Sequence, residues 1–421
     1  MKVYSHERLA RLAGARGMPE EYVHDLRVVS SVLPFKVNQY VVDELIDWSA
    51  VPDDPIFRLT FPHRDMLPPE LYDHLSALHL SAADPGVIRK AARDAHARLN
   101  PNPGAQLEAN VPTHRGRRLL GLQHKYAETV LVFPSQGQTC HSYCGYCFRW
   151  AQFVGNAEIR QAASDVADVA GYLADQPGVT DVLFTGGDPM IMSAAVLDRW
   201  VSPLLDPALE RIRTLRFGTK ALSYWPARFT TDPDADDLLR LFERIVAGGR
   251  HVAVMAHFSH PRELATDEVR RAIARIRATG AVIRTQAPLI AHVNDRAGDW
   301  AAMWQRSVEL GMVPYYMFVE RDTGARSYFS VPLERAWQVY TDAVRSVSGL
   351  ARTARGPVMS AAPGKVLVDG VARVGGADLF SLRMLQARDA GDVGRQFFAR
   401  YDPTAEWFDD LRPAHGSWWP A

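Results

Sequence analysis

The chain has 421 residues, of which 47% are apolar. This is enough sequence to bury a sizeable core, either in two or three domain-sized units or in one large domain with extensions. Its 48 basic and 48 acidic residues cancel, so no net positive field favours binding to a nucleic-acid backbone. No apolar run approaches the ~20 residues that a bilayer-spanning helix needs. These features predict a cytoplasmic protein that binds neither nucleic acid nor a membrane.

Residues 1 to 120 are predicted to form a helical N-terminal region with loops. Proline residues interrupt this stretch repeatedly, and residues 82–99 give one clear helix that starts at Asp84-Pro85. The sequence of this region indicates no chemistry.

Residues 121 to 355 contain short β-rich apolar runs that alternate with amphipathic segments, which is typical of βα units around a parallel sheet. These units predict an α/β fold with a partial barrel, whose site lies after the carboxyl ends of the strands. Residues 356 to 421 form a small C-terminal extension, with a predicted hairpin over 366–374 that turns at Asp369-Gly370. Six strands are predicted, at residues 130–133, 181–185, 212–218, 251–256, 281–286 and 314–319.

The three cysteines of the chain are Cys140, Cys144 and Cys147, just past the first predicted barrel strand. A disulfide framework is excluded by their number and crowding. The CxxxCxxC spacing suits three irons of a [4Fe-4S] cluster, with the fourth iron open to a chelating substrate. Two alternatives remain at this point: a zinc site with His141 as the fourth ligand, or three buried apolar thiols without a metal.

The cysteine spacing, with the aromatic Tyr146 before the last cysteine, resembles that of the radical S-adenosylmethionine (SAM) enzymes. The resemblance implies the partial (β/α)6 radical SAM barrel. It also implies a role for Gly186, Gly187 and Asp188, because these enzymes bind the amino group of SAM at a glycine-rich turn after the second strand. A glycine pair by itself would be an ordinary turn.

The resemblance narrows to the lysine 2,3-aminomutase family and covers nearly the whole chain. It implies an isomerase that moves an α-amino group to the β-carbon of an amino acid. The implied cofactors are a [4Fe-4S] cluster, SAM and pyridoxal 5′-phosphate (PLP). The implied partners are a small amino acid, a low-potential electron donor and further copies of the chain in a homo-oligomer. Similar segments occur in the family's order, among them residues 124–126, 216–220, 257–261, 293–295 and 314–316.

The family resemblance assigns substrate contacts to two residues. Arg149 matches an arginine that pairs with the α-carboxylate of the substrate, a task for which a planar guanidinium is suited; the alternative is a surface arginine. Asp295 matches an aspartate that holds the distal amino group of lysine. The dipeptide Asn294-Asp295 is equally typical of an ordinary Asx-turn.

Two further residues are assigned to cofactors. Lys365 matches the lysine that forms a Schiff base with PLP, which requires a neutral amine in a desolvated site. Local sequence alone favours an exposed lysine at the start of the hairpin. His257 is placed by the resemblance in the cavity for SAM and PLP, although His257 and His260 could also pass for metal ligands.

Three positions depart from the family pattern. Ala361 stands where lysine-specific members have an aspartate, so one of two anionic groups for the distal ammonium of lysine is absent. Thr129 stands where an arginine is expected, and only Gly364 precedes Lys365 instead of a glycine run. These differences predict a substrate other than free lysine. The alternative is a changed reaction on an amino-acid-containing metabolite, with or without PLP.

Overall fold

The computed structural model describes residues 2–100, 108, 110–155 and 161–418. Its centre is an eleven-stranded mixed sheet, in which strands β5 to β15 follow one another in chain order. Two small antiparallel sheets pair β1 with β2 and β3 with β4. The strands are β1 (Val3–Ser5), β2 (Lys36–Asn38), β3 (Thr113–His114), β4 (Arg117–Arg118), β5 (Leu122–Tyr126), β6 (Thr129–Val132), β7 (Asp181–Phe184), β8 (Thr214–Thr219), β9 (His251–His257), β10 (Val282–Leu289), β11 (Val313–Val319), β12 (Arg355–Ser360), β13 (Gly364–Val374), β14 (Ala377–Ala387) and β15 (Gln396–Arg400).

Helices build most of the N-terminal region and connect the parallel strands. Three connecting helices start at Asp165, Ser193 and Thr266, whose side chains accept hydrogen bonds from backbone NH groups of the first turn. Within the described ranges, no helix is both long enough and apolar enough to cross a bilayer. The helices are α1 (Leu9–Ala15), α2 (Glu20–Ser30), α3 (Pro55–Thr60), α4 (Pro69–Leu80), α5 (Pro85–Leu99), α6 (Val166–Ala174), α7 (Ala194–Val201), α8 (Ala221–Tyr224), α9 (Ala235–Ala247), α10 (Asp267–Ala278), α11 (Ala297–Glu309), α12 (Arg326–Phe329) and α13 (Leu333–Arg345).

The strands from β6 to β12 all run parallel to one another, and the flanking pairs β5 with β6 and β12 with β13 are antiparallel. The six predicted strands are β6 to β11, and the α/β class is confirmed. The seventh parallel strand, β12, was not predicted, because Gly356-Pro357 is typical of a chain break. In the structure Gly356 allows a close approach to β11, since a Cβ there would lie 2.6 Å from Cβ of Met317.

The predicted hairpin of the C-terminal extension is wrong in its turn. Strand β13 continues through Asp369-Gly370, where the pairing with β14 shifts register and Gly370 has a φ of 152°. The chain reverses instead at Gly375 and Gly376, whose φ angles are 59° and 85°. A two-residue turn with positive φ at both positions favours glycine, so Gly-Gly was the better signal.

Side-chain hydrogen bonds connect the first strands of the sheet to the segments that follow the last parallel strand. Lys125 in β5 donates a hydrogen bond from Nζ to the carbonyl oxygen of Ala361, just after β12. Gln386 in β14 donates from Nε2 to Oε1 of Glu128, which precedes β6, at 2.9 Å. The sheet therefore curls, and the C-terminal extension contacts the first strands of the sheet.

The N-terminal region lies directly against the cysteine loop. Its apolar residues form a second core that includes Trp150, the residue directly after the candidate carboxylate-binding Arg149. The backbone NH of Tyr143 donates to the carbonyl of Lys36 at 2.8 Å, and the NH of Gly145 donates to the carbonyl of Leu59 at 2.7 Å. The division at residues 120 and 355 stays a prediction.

Asp54 joins the N-terminal region to the loop after β9. Its side chain is fully buried, caps α3 by accepting from the NH of Phe57 at 2.8 Å, and forms an ion pair with Arg262. A buried carboxylate of this kind leaves its partners without compensation when it is removed.

We expect Asp54→Ala to lower the free energy of unfolding by about 3 kcal/mol, through loss of the cap and of the partner of Arg262. Asp53→Ala is the matched control, because the neighbouring Asp53 pairs with Arg58 at the surface and its side chain is 77% exposed. Urea unfolding of the full chain measures both. Equal effects of the two substitutions would contradict the buried role of Asp54.

Candidate active site

The three thiols lie together in the loop after β6. Burial raises the pKa of all three, that of Cys144 to about 12 and that of Cys147 to about 11. The neighbouring thiolates add to the rise at Cys140 and Cys144, so the sulfurs are close enough to act on one another. Thiols in such surroundings become thiolates when a metal binds them.

The arrangement fits an iron-sulfur cluster better than a single zinc ion. In the part of the chain that the structure describes, no three His, Cys, Asp or Glu side chains converge as ligands of one metal ion. A [4Fe-4S] cluster does not require this, because each cysteine binds a different iron. His141, the candidate fourth ligand of zinc, is directed instead to Asp188, with Nε2 3.2 Å from Oδ2.

A basic side chain lies beside each thiol and opposes the rise of its pKa. Lys36 donates hydrogen bonds from Nζ to the carbonyl of Cys140 at 3.1 Å and to Oγ1 of Thr139 at 2.8 Å. These cations offset the negative charge that three thiolates bring into a buried loop. The pairs are Cys140 with Lys36, Cys144 with Lys220 and Cys147 with Arg149.

Gly186 and Gly187 pack against the backbone that leads into the cysteine loop. A Cβ on Gly187 would lie 2.3 Å from the carbonyl oxygen of Thr139, and one on Gly186 would lie 2.3 Å from Nε2 of Gln138. Gly187 also donates from its NH to the carbonyl of Gly137 at 3.1 Å. The glycine pair therefore lies at the cysteine loop, where the sequence analysis placed the SAM site.

Asp188 connects three parts of the site. Its carboxylate accepts from Oγ1 of Thr219 at 2.8 Å and from the NH of Lys220 at 2.9 Å, both at the end of β8. It also accepts from the NH of Met190 and faces His141. Burial opposes ionisation of this carboxyl, but the contact with His141 and the other hydrogen bonds outweigh burial and lower its pKa.

Arg149 is buried beside the last cysteine and has no carboxylate partner among the described residues. Burial lowers its pKa to about 10, so the guanidinium stays charged at neutral pH. It donates from Nη2 to Oε1 of Gln138 at 3.2 Å, while its Nε has no hydrogen-bond partner within the described structure. A buried guanidinium with a free donor is suited to an anionic ligand.

Tyr146 and His257 lie at the carboxyl ends of the central strands. The hydroxyl of Tyr146 is 3.4 Å from Oγ of Ser259, and Nε2 of His257 is 2.9 Å from Nε2 of Gln286. Burial and then the charge of Lys220 lower the pKa of His257 to about 4. Its imidazole is therefore neutral at pH 7 and can accept a hydrogen bond.

Lys220, Glu263 and Glu320 are polar residues of this site to which the sequence analysis gave no role. Lys220 donates from Nζ to both carboxylate oxygens of Glu263 at 3.0 Å, and Glu263 is completely buried. Glu320 is buried, and its charge acts on Cys147. Lys220 and Glu320 directly follow β8 and β11, so position after a strand was the available signal.

Lys365 lies in β13 among a different set of neighbours. Its Nζ donates to Oε1 of Gln386 at 2.7 Å and lies 4.9 Å from the ring centre of Tyr316. Burial and then the charge of Arg216 lower its pKa to about 8. Arg355 also acts on this amine. None of the charged groups that shift the pKa of Lys365 is among those that shift the pKa values of the three cysteines.

Asp295, like Lys365, makes none of the contacts that join the residues around the cysteine loop. Its Oδ2 accepts from the backbone NH of His292 at 3.4 Å, and its own carbonyl accepts from Arg335 at 3.4 Å. No contact within the described residues links it to Arg149 or Lys365. This contact runs back to the residue three positions earlier and is not the Asx-turn that the dipeptide suggested, and the substrate contact of Asp295 stays a prediction.

Comparison with known proteins shows the family. The chain is 30% identical over 395 residues to the "Putative L-lysine 2,3-aminomutase" of Aquifex aeolicus, which covers 93% of this chain and 91% of that protein. It is 29% identical to the L-lysine 2,3-aminomutase of Escherichia coli, over 54% of this chain and 63% of the relative. The Clostridium subterminale enzyme of the same name is 24% identical over 63% of this chain and 61% of the relative.

The chain belongs to the lysine 2,3-aminomutase family. The predicted family is thereby confirmed, together with the radical SAM enzyme class that the family implies. No protein-family model matches the chain. A radical SAM methyltransferase from Sphaerobacter thermophilus has a TM-score of 0.36 and 15% identity over 84% of this chain and 93% of that one. This score is too low to support the fold, which rests on the strands themselves.

We expect Gly187→Ala to impair cluster binding, because its Cβ would displace the backbone of Thr139 at a cost of about 1–3 kcal/mol. Iron and sulfide per chain after anaerobic reconstitution should fall clearly. Gly218→Ala, at the end of β8, is the matched control because its Cβ would make only an ordinary contact at 3.5 Å. Full iron content in Gly187→Ala would show that the close approach is not needed.

Proposed function

We propose that the protein is a radical SAM, PLP-dependent amino acid 2,3-aminomutase whose substrate is an amino acid other than free lysine. The observation that carries the proposal is the buried amine of Lys365, whose pKa of about 8 leaves a substantial neutral fraction near pH 7.5. An ordinary exposed lysine would be almost wholly protonated there. We also propose that the protein is cytoplasmic, receives electrons from a low-potential donor and forms a homo-oligomer.

The fold proposed for this chemistry is the partial (β/α)6 barrel. Its support is the run of parallel strands from β6 to β11, each connected to the next by a segment that contains a helix. The contacts of Lys125 with Ala361 and of Gln386 with Glu128 further support a curled sheet with a shielded interior.

The protein side chains hold and orient the reactants. In the proposal Cys140, Cys144 and Cys147 bind the cluster, and the turn 186–188 contacts SAM. When bound, the cluster with SAM supplies a 5′-deoxyadenosyl radical, and PLP supplies a carbonyl for the substrate nitrogen. Arg149 binds the α-carboxylate and fixes the β-carbon near the cysteine loop.

The surroundings of Ala361 disfavour a distal ammonium group. Ala361 is 3% exposed, and its carbonyl accepts from Nζ of Lys125. Arg388 donates from Nε to the carbonyl of Ala362 at 3.2 Å. The cationic Arg388 and Lys125, whose pKa burial lowers to about 7, therefore border the position where lysine-specific members have an aspartate. A second ammonium group would meet repulsion there, which supports a substrate with a neutral or anionic distal group.

We expect borohydride to trap a pyridoxyl adduct on Lys365 after incubation with PLP, and peptide mass mapping identifies the lysine. Because the pKa of Lys365 is lowered, its neutral form increases as pH rises through about 8, and trapping should increase over the same interval. Lys365→Ala should abolish this adduct. Lys90→Ala, at an exposed lysine of α5, is the control and should retain it.

The same experiment separates the proposed function from the changed reaction. An adduct confined to Lys365 supports the aminomutase and directs a screen of α-amino acids under reducing, anaerobic conditions. An adduct scattered over surface lysines, or none, would contradict PLP dependence and favour the alternative reaction on an amino-acid-containing metabolite.

We expect Arg149→Lys to lower kcat/KM by roughly 30-fold, because it removes about 2 kcal/mol from a charge-assisted, forked contact with the substrate carboxylate. The substitution should raise the KM for the substrate. The yield of 5′-deoxyadenosine formed in the absence of substrate should change less. Arg115→Lys is the control, since its side chain is 77% exposed. If Arg149→Lys leaves the preference for the amino acid over its decarboxylated amine unchanged, a contact between Arg149 and the α-carboxylate is excluded.

A further inference from the structure

A cavity of about 300 Å³ opens at the amino-terminal end of the parallel strands, opposite the edge that carries the cysteine loop. Asp181, Thr214, His251 and Arg355 are the first residues of β7, β8, β9 and β12, and all four line the cavity. The proposed reaction at the carboxyl ends of the strands uses none of these residues.

Three arginines make this cavity strongly basic. Arg216, Arg284 and Arg355 all line it, and the one carboxylate in its wall is that of Asp181. Arg216 binds Asp181 through two contacts of 2.8 Å, Nε to Oδ1 and Nη2 to Oδ2. Among the described residues, no carboxylate lies within ion-pair distance of Arg284 or Arg355.

The charge of the cavity matches that of one ligand class. Three guanidinium groups and one carboxylate leave an excess of two positive charges, apart from His251. A phosphate monoester carries close to two negative charges at neutral pH, and the planar guanidinium binds phosphate oxygens in pairs. The hydroxyls of Thr214 and Tyr315 supply neutral donors in the same wall.

The cavity is also electrostatically coupled to Lys365. Two of its arginines, Arg216 and Arg355, are among the charges that act on the amine of Lys365. The carboxylates of Glu128 and Asp181 act on it as well, so the amine and the cavity share charged neighbours of both signs. Thr129, where the family pattern has an arginine, contributes no charge on this side of the sheet.

We propose that the cavity at the amino-terminal end of the strands binds the phosphate group of a ligand, with Arg216, Arg284 and Arg355 as its donors. The phosphate belongs either to PLP on Lys365, in which case the inference rests on the proposed function, or to free phosphate or a phosphate ester. Among the described residues, neither Arg284 nor Arg355 pairs with a carboxylate, so replacing either one breaks no ion pair there. These two arginines are therefore the first to substitute.

The first test compares PLP with pyridoxal, which has the same aldehyde and no phosphate. Binding to the full-length protein is followed by visible absorbance and by the borohydride-trapped adduct on Lys365. Wild-type protein should prefer PLP by at least about tenfold, and Arg284→Ala or Arg355→Ala should reduce that preference about tenfold by weakening PLP alone. Arg213→Ala, an exposed arginine at the same end of β8, should behave as wild type.

The second test uses inorganic phosphate with Lys365→Ala, in which no adduct can form. Phosphate should raise its thermal unfolding midpoint above that in chloride of equal ionic strength, and the added Arg284→Ala change should remove this shift. Phosphate binding without a preference for PLP over pyridoxal would identify free phosphate or an ester as the ligand. If neither test shows dependence on Arg284 or Arg355, the proposal is overturned.

The two tests also separate this inference from the proposed function. Absence of any adduct on Lys365 with either aldehyde, together with phosphate binding that depends on Arg284, would refute PLP dependence and leave the phosphate site in place. An adduct formed equally from PLP and pyridoxal, without phosphate binding, would support the proposed function and refute the cavity as a phosphate site.

Discussion

The buried carboxylate of Asp188 is the contact on which the site depends most. It joins the glycine pair after β7, the end of β8 and His141 of the cysteine loop through hydrogen bonds that have no water to replace them. A buried carboxylate is tolerated only when its oxygens are fully bonded, so these three elements are held in a fixed relation. The glycine pair then sets how closely the cysteine loop approaches the sheet.

The carboxyl edge and the amino-terminal edge of the parallel strands differ in the charged groups that they carry. At the carboxyl edge, Lys36, Lys220 and Arg149 stand beside the three buried thiols, and Lys220 also pairs with Glu263. At the amino-terminal edge, the cavity is lined by three arginines and one carboxylate, and charges of both signs act on Lys365. Both ends combine burial with charge, which is the condition that shifts pKa values at functional sites.

Much of this architecture could be predicted from the sequence, because apolar runs and cysteine spacing are local signals. Strands β6 to β11 and the grouping of the three cysteines after β6 follow from such patterns. Strand β12 escaped prediction because Gly356-Pro357 normally interrupts a strand, and here the close packing on β11 requires that glycine. Lys220 and Glu263 pair although they follow different strands, and the three arginines of the cavity also lie in different strands. No local sequence pattern predicts such contacts.

The closure of the sheet by the C-terminal extension has a consequence for the order of assembly during synthesis. The segments that contact the cysteine loop, at residues 36–59, 186–190 and 219–220, emerge from the ribosome well before residue 365. Gln386, which holds the amine of Lys365, emerges later still. Domains begin to fold while the chain is being made. A nascent chain therefore completes the surroundings of the cysteines first, and the pocket around Lys365 takes shape only after residue 386 has emerged.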